Sequence, residues 1–285
     1  MADNQKIEPA TDSRTRRFWA GLKTFFREKP LGAIGGVVFL GMVLVAIFAP
    51  LLSPYDPISG DIPARLSSPS WQHLMGTDDL GRDVFSRLLY GARISALVGI
   101  VSTVIGITTG AVIGVTSGYL GGKVDMYVQR IMDIMLSFPS LILALAIMAV
   151  MGASIVNVII AIAVPVMPRA NRVVRSVAIT VKGFQYVEAA TAIGAGHPRI
   201  IFRHVIPNCT ASFLILATSM LGTAILIEAS LSFLGLGIPP PVPSWGRSLS
   251  EAMMFNYVAP WLSIFPGLAI SLIVFAANMF GDALR

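Results

Sequence analysis

The sequence predicts an all-α membrane protein that crosses the bilayer six times and keeps both termini in the cytoplasm. Of its 285 residues, 55% are hydrophobic and only 13% are charged, whereas about 25% of the residues in soluble proteins are charged. Several apolar runs reach the roughly 20 residues that a helix needs to cross the hydrocarbon core. Sixteen of the 21 lysines and arginines fall in segments assigned to the cytoplasm and five in segments assigned outside, as expected from the basic character of cytoplasmic loops.

Composition argues against catalysis and against cofactor binding by this chain. The single cysteine, Cys209, excludes an intramolecular disulfide and a cysteine-based metal cluster. The three histidines have no ligand-like spacing, so no metal site is expected. The run Gly121-Gly122-Lys123-Val124 lacks the upstream glycine and the hydroxyl of a phosphate-binding loop for ATP and Mg²⁺. The net charge of +6 follows from basic cytoplasmic loops, so no nucleic-acid partner is expected.

Residues 1–30 are expected to form a basic amphipathic segment on the cytoplasmic side. Among its lysines and arginines, apolar side chains recur at helical spacing, at Phe18, Leu22, Phe25 and Phe26. Such a helix lies on membrane lipid with its basic groups at anionic headgroups; a calmodulin-like partner is the alternative. The apolar run that follows is too long for a signal peptide, and residues 31–52 are assigned as the first transmembrane helix.

Residues 53–92 are assigned to the outer side, as a periplasmic or extracellular segment that is the longest extramembrane piece on that side. The segment begins with irregular proline-rich sequence and is expected to end in a short helix. This helix is expected to start near Thr77-Asp78-Asp79, because acidic residues stabilise a helix N-terminus. Asp83 and Arg87 are expected to form an i, i+4 ion pair on it.

Residues 93–282 hold five more predicted helices, at about 94–118, 131–151, 153–170, 208–236 and 257–280. Residues 119–130 are expected to form a short cytoplasmic turn. The second helix carries small residues at four-residue spacing, namely Ser102, Gly106, Gly110, Gly114 and Gly118. Glycine costs a helix about 1 kcal/mol relative to alanine. The stripe therefore predicts close contact with another helix, either of the same chain or of a second subunit.

Two carboxylates are candidates for an intramembrane polar site. Asp133 is expected about one turn inside the inner surface, where Arg130 is close enough to pair with it. A proton-relay role for Asp133 is not favoured, since no chain of acidic residues continues deeper. Pro139 is expected to bend the same helix. Glu228 lies well inside an apolar run and is expected to face protein or a transport pathway rather than lipid.

Two outer-side motifs resemble those of one transport family. Gly76-Thr77-Asp78-Asp79-Leu80-Gly81-Arg82-Asp83-Val84-Phe85-Ser86-Arg87-Leu88-Leu89-Tyr90-Gly91-Ala92-Arg93 is similar to the signature of second permease subunits of ABC importers for dipeptides, oligopeptides and nickel. Pro239-Pro240-Pro241-Val242-Pro243-Ser244-Trp245-Gly246-Arg247 resembles another hallmark of these permeases. The resemblance implies that a solute-binding protein docks nearby. The candidate docking residues are Asp78, Asp79, Arg82, Asp83 and Trp245; a structural cap over the first span is the alternative.

The segment 184–207 resembles the EAA motif of ABC importer permeases. Glu188-Ala189-Ala190 is followed after three residues by Gly194, and the segment ends in Ile206-Pro207. The resemblance implies a coupling helix seated in a cleft of a cytoplasmic ATPase, and a helix that enters a groove needs small residues for close approach. Glu188 is expected to pair with a base of its own loop or with the ATPase. The residues assigned to coupling are Glu188, Ala189, Ala190, Gly194, His204, Ile206 and Pro207; a plain connecting loop is the alternative.

The resemblance implies a type I ABC importer transmembrane subunit in the cytoplasmic (inner) membrane of a bacterium. The implied partners are a second, similar permease that shares the translocation pathway, one or two ATPase subunits that bind ATP and Mg²⁺, and a solute-binding protein. Peptides are the expected substrates, because the spans lack a set of His, Cys and Met ligands; nickel or another small solute is the alternative. A stand-alone secondary transporter and a channel or receptor-like sensor are alternatives of other classes.

Overall fold

The computed structural model describes residues 23–284, and within this range the chain is helical without a β-strand. The helices are α1 (Pro30–Leu52), α2 (Val84–Leu120), α3 (Gly122–Leu136), α4 (Ser140–Met151), α5 (Ile155–Lys182), α6 (Gln185–Ala192), α7 (His197–Ile200), α8 (Ile206–Phe233), α9 (Trp245–Ala252) and α10 (Trp261–Leu284). Short 3₁₀ turns lie at Ile62–Ala64 and Met253–Phe255, and a π-helical turn, Ile201–Val205, joins α7 to α8. Five helical stretches in the described range are long and apolar enough to cross a membrane, or six if the bent pair α3–α4 forms one span. The prediction of an all-α, multi-pass membrane protein is confirmed.

Helix α2 is longer than the predicted second span and incorporates the predicted short outer helix. It starts at Val84 rather than near Thr77, because Asp83 is its N-cap and accepts a hydrogen bond from the backbone nitrogen of Ser86 at 2.8 Å. No proline interrupts the next 37 residues, so the helix continues to Leu120. The outer segment is therefore joined rigidly to a transmembrane helix.

The glycine stripe of α2 packs against α5 of the same chain. A Cβ atom at Gly106 would lie 2.6 Å from the carbonyl oxygen of Ala163, and one at Gly114 would lie 2.5 Å from that of Asn171. Both distances are far below van der Waals contact, so a larger residue would push the helices apart. Residue numbers rise together along the two helices, which therefore run parallel. Of the two alternatives for the stripe, packing within the chain is the one found.

The predicted turn at 119–130 and the predicted span at 131–151 are both wrong in their bounds. Helix α2 ends at Leu120 and is followed by its C-cap Gly121, whose φ of +70° favours glycine; α3 begins directly after this residue. A break before Ser140 then separates α3 from α4, and the two helices are bent by 92°. Pro139 lies in this break as the N-cap of α4, with a ψ of 134° that is outside the helical range. Helix α4 alone has 12 residues, about 18 Å at 1.5 Å per residue.

Helices α5 and α8 extend beyond their predicted bounds on the side of the 184–207 segment. Helix α5 passes through Pro165 and Pro168 and ends at Lys182 rather than near residue 170. The added part buries Val174, Ala178 and Val181. The last long stretch before the second outer segment begins at His197, not at residue 208, because α7 and the π-helical turn lead into α8. Tertiary packing thus continues helices past prolines and basic residues that suggested an end.

Helices α1 and α10 bring the two ends of the described chain together. A Cβ atom at Gly32 would collide with Ala283, and one at Gly35 would lie 2.6 Å from the carbonyl oxygen of Ala276. The two helices are therefore antiparallel and in close contact. The ammonium group of Lys29 donates a hydrogen bond to the carbonyl oxygen of Ala283 at 2.7 Å.

Two further predictions concern the ends of the chain. Residues 23–28 are helical, and the rest of the predicted amphipathic segment at 1–30 lies outside the described residues. Helix α10 starts at Trp261 and ends at Leu284, later than the predicted 257–280. The shift arises because residues 253–258 form a 3₁₀ turn followed by another turn.

Candidate functional site

The short helix α6 rests on the C-terminal ends of α2 and α5. Its residues Val187 and Ala190 are buried in one apolar cluster with Val115 and Tyr119 of α2 and Val181 of α5. An isolated helix of eight residues is not stable in water. The position of α6 therefore depends on this cluster, and a force on α6 acts directly on the ends of two long helices.

The opposite side of α6 is exposed and carries Glu188 and Ala189. Glu188 forms no ion pair with any residue in the range 23–284. The predicted pairing with a base of its own loop is therefore not found there, and the carboxylate is open to solvent. Ala190 points to the apolar cluster instead. Of the three motif residues, Glu188 and Ala189 thus lie on the exposed surface of α6, and Ala190 lies in the buried apolar cluster.

Gly194 ends α6 in a Schellman motif. Its φ is +83°, and its backbone nitrogen donates to the carbonyl oxygen of Thr191 at 3.0 Å. The backbone nitrogen of Ala195 donates to the carbonyl oxygen of Ala190, also at 3.0 Å. No atom of the described chain outside the immediate neighbours lies within 4 Å of a Cβ atom built at Gly194. Glycine is thus needed for the turn, and the space beside it is open to a partner.

The remaining residues assigned to coupling lie just before and at the start of α8. The ring of His204 is 5.9 Å from that of Tyr186. The amide nitrogen of Asn208 donates to the Tyr186 hydroxyl at 3.1 Å and to the carbonyl oxygen of His204 at 2.7 Å. Ile206 packs partly against the apolar cluster, and Pro207 lies in the first turn of α8, where its missing N–H is not needed. These contacts tie α6 to α8.

An open groove of about 590 Å³ separates α6 from the end of α2. Its walls carry groups of both charges, with Glu188 on α6 and Lys182 at the end of α5. The ammonium group of Lys182 lies 5.5 Å from the centre of the Tyr119 ring, and the ring of His197 meets the same tyrosine edge to face at 5.6 Å. Tyr119 was not predicted as a site residue, because it reaches the groove only since α2 continues to Leu120, beyond its predicted end at residue 118.

On the outer side, Asp78 organises the turn before α2. One carboxylate oxygen accepts hydrogen bonds from the backbone nitrogens of Leu80 and Arg82, each at 2.9 Å. The other oxygen lies 2.6 Å from Nε of Arg82 and 3.5 Å from Nε of Arg87. Asp78 and both arginines are buried. Asp79 is only partly exposed, with a long 3.9 Å contact to Arg82. Most of these charges therefore hold the segment together.

Asp83 and Trp245 are also buried and engaged within the chain. The predicted ion pair between Asp83 and Arg87 is wrong, because the Asp83 carboxylate caps α2 and lies 2.9 Å from Nδ1 of His73. The indole nitrogen of Trp245 donates to the carbonyl oxygen of Leu88 at 2.8 Å. The alternative of a structural cap accounts for these contacts.

Glu251, which was not predicted from the sequence, joins the two outer segments. Its carboxylate lies 3.4 Å from Arg82, 3.3 Å from Arg87 and 2.8 Å from Arg247. The i, i+4 spacing of Arg247 and Glu251 is a local signal for one of these contacts. The other two arginines are 169 and 164 residues away in the sequence, so local residue spacing does not predict their contacts with Glu251.

Glu228 is fully buried between α8 and α2. One of its oxygens accepts a hydrogen bond from the Ser95 hydroxyl and the other from the Ser232 hydroxyl, each at 2.8 Å. No lysine, arginine or histidine of the described chain lies within 4 Å of it. Glu228 thus faces protein, and among the residues that the structure describes it is held by hydroxyl groups alone.

Asp133 pairs with Arg172 of α5 at 2.6 Å, not with Arg130 as predicted. Both side chains of the pair are about half exposed, at 48% and 56%. The reason is that α3 turns away from α4 and crosses α5 at this level. Asp133 and Glu228 have different partners and do not form one site. Within residues 23–284, no group of three or more His, Cys, Asp and Glu side chains is placed to hold a metal ion.

The chain matches known transport proteins over nearly its whole length. Residues 106–285 match the family described as binding-protein-dependent transport system inner membrane component, and residues 13–69 match the N-terminal TM domain of oligopeptide transport permease C. The dipeptide transport system permease protein DppC of Alkalihalophilus pseudofirmus is 44% identical over 91% of this chain and 85% of its own length. The di/tripeptide permease DppC of Pseudomonas aeruginosa is 41% identical over 97% and 94%.

The glutathione transport system permease protein GsiD of Pectobacterium atrosepticum is likewise 41% identical, over 95% of this chain and 89% of its own. The resemblance drawn from the outer-side and EAA-like motifs is therefore confirmed. This chain belongs to the family of binding-protein-dependent transport system inner membrane components.

Proposed function

We propose that this chain is one of two permease subunits of an ATP-driven importer in the cytoplasmic membrane of a bacterium. The observation that carries the proposal is helix α6, which exposes Glu188, Ala189 and the open side of Gly194 above a base formed by the ends of α2 and α5. A helix so placed suits a groove on another protein. Partner ATPases would bind and hydrolyse ATP with Mg²⁺, and the chain itself would carry no catalytic residue or cofactor.

Six membrane crossings with both termini in the cytoplasm are the topology that we propose. Helices α2 and α5 run parallel, so the chain between them has to return across the membrane. The bent pair α3–α4 supplies that return through α4 and the non-helical residues 137–139 and 152–154 that flank it. Helices α1 and α10 are antiparallel, with Lys29 beside Ala283, which supports a common side for both ends. The distribution of basic residues favours the cytoplasm for that side, and α6 with it.

Coupling would proceed through the buried face of α6. When the ATPases close and open, a force on the exposed face would pass through Val187 and Ala190 to Tyr119 and Val181. The ends of α2 and α5 would move together, because the glycine stripe holds them in direct backbone contact. The contact of Asn208 with Tyr186 would carry the same movement to α8. The cavity shared with the second permease would thereby open alternately to either side.

On the outer side, residues 53–83 and 234–260 would form the surface near which a solute-binding protein docks. The buried ion network around Asp78 and Glu251 supports a rigid cap that keeps this surface in shape. Groups free for docking lie at its rim, such as Asp79 and the half-exposed Leu80.

Di- or oligopeptides are the substrates that we favour. The relatives above are named for dipeptides, di- and tripeptides, and glutathione, which is itself a tripeptide. None of these three names refers to nickel.

Co-purification followed by reconstitution tests the proposal. Tagged protein expressed with the products of neighbouring genes is expected to bring down a second permease and an ATPase. In vesicles with the binding protein, labelled dipeptide should accumulate only with ATP and Mg²⁺, and unlabelled dipeptide but not Ni²⁺ should compete. Absence of an ATPase from the purified assembly, or uptake driven by an ion gradient without ATP, would instead support a stand-alone secondary transporter.

A further inference from the structure

Helix α3 turns its polar side to the protein. Its polar residues lie four positions apart and so share one face of the helix, and this face contacts α5. The contacts are Asp125–Arg175 at 2.6 Å, Gln129–Asn171 at 3.1 Å and Asp133–Arg172 at 2.6 Å. Three polar contacts within one helical turn of α5 fix how α3 is rotated about its axis. Its opposite side must then point away from the bundle.

That opposite side is an apolar stripe. Five side chains, four of them on α3 and the last just after its end, recur at spacings of three and four residues, and each is at least 50% exposed: Val124, Tyr127, Ile131, Ile134 and Phe138. The only residue of α3 that is buried is Met132. In water such a stripe would be unfavourable, because about 25 cal/mol is gained per Å² of apolar surface removed from it. Something apolar therefore covers α3 in the working protein.

Two basic residues border the stripe along one edge. Lys123 and Arg130 lie four residues before and three residues after Tyr127, so the three side chains share a face. Both basic residues are exposed, and neither forms an ion pair with any residue from 23 to 284. A stripe of apolar and aromatic residues with a basic edge is typical of a helix that lies in a membrane interface.

The level of α3 along α5 agrees with such a position. Helix α5 has no charged residue from 155 to 168, and its next turns carry the bases Arg169, Arg172 and Arg175. This change marks the boundary between hydrocarbon and headgroups, and α3 crosses α5 at Arg172 and Arg175. The bend of 92° between α3 and α4 places α3 nearly at right angles to the segment that would cross the bilayer.

We infer that α3 lies in the plane of the inner leaflet and binds anionic phospholipid headgroups through Lys123 and Arg130, while its apolar stripe contacts acyl chains. The inference rests on the proposed orientation of the chain, which puts this level of α5 at the cytoplasmic face. Lipid is favoured over a helix of a second subunit, because the unpaired cations lie at the level of headgroups and headgroups supply the missing negative charge.

A fluorescent reporter beside the two cations tests this. Tyr127→Cys, in a Cys209→Ala background, is labelled with a bimane dye in the assembled transporter and in the separate chain. Each is placed in vesicles of phosphatidylglycerol and phosphatidylcholine, with one lipid brominated at a time. Brominated acyl chains quench only a dye that touches them. We expect quenching in both preparations and stronger quenching by brominated phosphatidylglycerol.

Removal of the two charges should abolish the preference for phosphatidylglycerol. Each basic residue should enrich phosphatidylglycerol over phosphatidylcholine beside the helix by a factor on the order of five. The double variant Lys123→Gln with Arg130→Gln should therefore be quenched equally by the two brominated lipids. Arg93→Gln is the matched control, because Arg93 is also exposed but lies near the opposite end of α2; it should change nothing. If the double variant does not assemble, 1 M salt applied to the labelled protein with both bases intact should remove the preference, since the screening length falls to about 3 Å.

Two outcomes would overturn the inference. Equal quenching by both lipids in protein that retains both bases would show that no anionic headgroup is bound. Quenching of the separate chain that disappears on assembly would show that a partner helix covers the stripe. Neither readout depends on uptake or ATP hydrolysis, so the result stands apart from the test of the transport function.

Discussion

The carboxylate of Glu251 lies 3.3 Å from the guanidinium group of Arg87, 164 residues earlier in the chain. The same carboxylate also contacts Arg82 and Arg247. Arg87 is the most deeply buried of the three arginines, with 5% of its side chain exposed. Since Asp78 is its only other carboxylate neighbour in the described range, Glu251 links the two outer segments and balances a buried positive charge.

Neutralising this carboxylate should therefore weaken the outer cap. We expect Glu251→Gln to lower the free energy of unfolding by about 1–3 kcal/mol, since the buried guanidinium group of Arg87 loses one of its two carboxylate partners. The thermal midpoint of the purified transporter, followed by size-exclusion chromatography after heating, measures this. Asp79→Asn is the matched control, because its contact with Arg82 is long and partly exposed and should contribute less than about 0.5 kcal/mol. Equal midpoints for the two variants would contradict the assigned role.

The contact between α2 and α5 predicts strong sensitivity at Gly110. A Cβ atom there would collide with the carbonyl oxygen of Met167, so Gly110→Val should separate the helices and greatly reduce the folded amount in the membrane. Gly41 of α1 is the control, because no atom of the described chain outside its own helix backbone and chain neighbours lies within 4 Å of its added Cβ. Gly41→Ala should be neutral or stabilise by up to about 1 kcal/mol. Normal levels of Gly110→Val protein would disprove the close contact.

Substitutions at Gly194 test two requirements separately, the positive φ of the turn and the open space for a partner protein. The left-handed φ of Gly194 is tolerated by asparagine better than by alanine, so Gly194→Asn should preserve more uptake than Gly194→Ala. Gly194→Trp has the same backbone strain as Gly194→Ala and should also insert and fold, because the space beside the residue is open; it should abolish uptake, whereas Gly194→Ala should only reduce it. Membrane content and peptide uptake are measured together for the three variants. Full uptake by Gly194→Trp would argue against docking of the ATPase at this end of α6.

Charge reversal at Glu188 tests the exposed face of α6. The side chain has no ionic partner within residues 23–284, so Glu188→Lys should leave the stability of the permease within about 0.5 kcal/mol. Association with the ATPase should weaken in pull-down experiments, and Glu188→Gln should weaken it less because it only removes the charge. If Glu188→Lys retains the ATPase as well as the native chain does, a direct ionic contact is excluded.

The features that local sequence predicts are those that need no partner elsewhere in the chain. Helix α1 at Pro30–Leu52 follows the apolar run at 31–52, and the glycine stripe of α2 indicated close helix contact before its partner was known. The EAA-like residues likewise mark α6, where local helix propensity and Gly194 define both ends. In each case the signal lies within one helical stretch.

The features that were missed depend on tertiary contacts. Asp83 has an arginine four residues later, but its carboxylate accepts the N-cap hydrogen bond of α2 instead of pairing with that arginine. Arg130 is nearest to Asp133 in sequence, but the rotation of α3 turns Asp133 to Arg172 instead. The pairing of Glu251 with two distant arginines requires the return of the outer segment onto α2. The spacing of residues along the sequence does not predict which partners the carboxylates of Asp83, Asp133 and Glu251 contact.

Glu228 offers the sharpest test between an importer subunit and an ion-coupled transporter. Its two hydrogen bonds come from the hydroxyl groups of Ser95 and Ser232, and a glutamine amide can make both by accepting one and donating the other. We therefore expect Glu228→Gln to keep at least about half of the uptake. Glu228→Leu leaves two buried hydroxyls without this partner and should destabilise the protein by about 1–3 kcal/mol. Uptake is measured per folded molecule for both variants. Loss of uptake in well-folded Glu228→Gln protein would mean that a titrating carboxylate is required, as an ion-coupled transporter predicts.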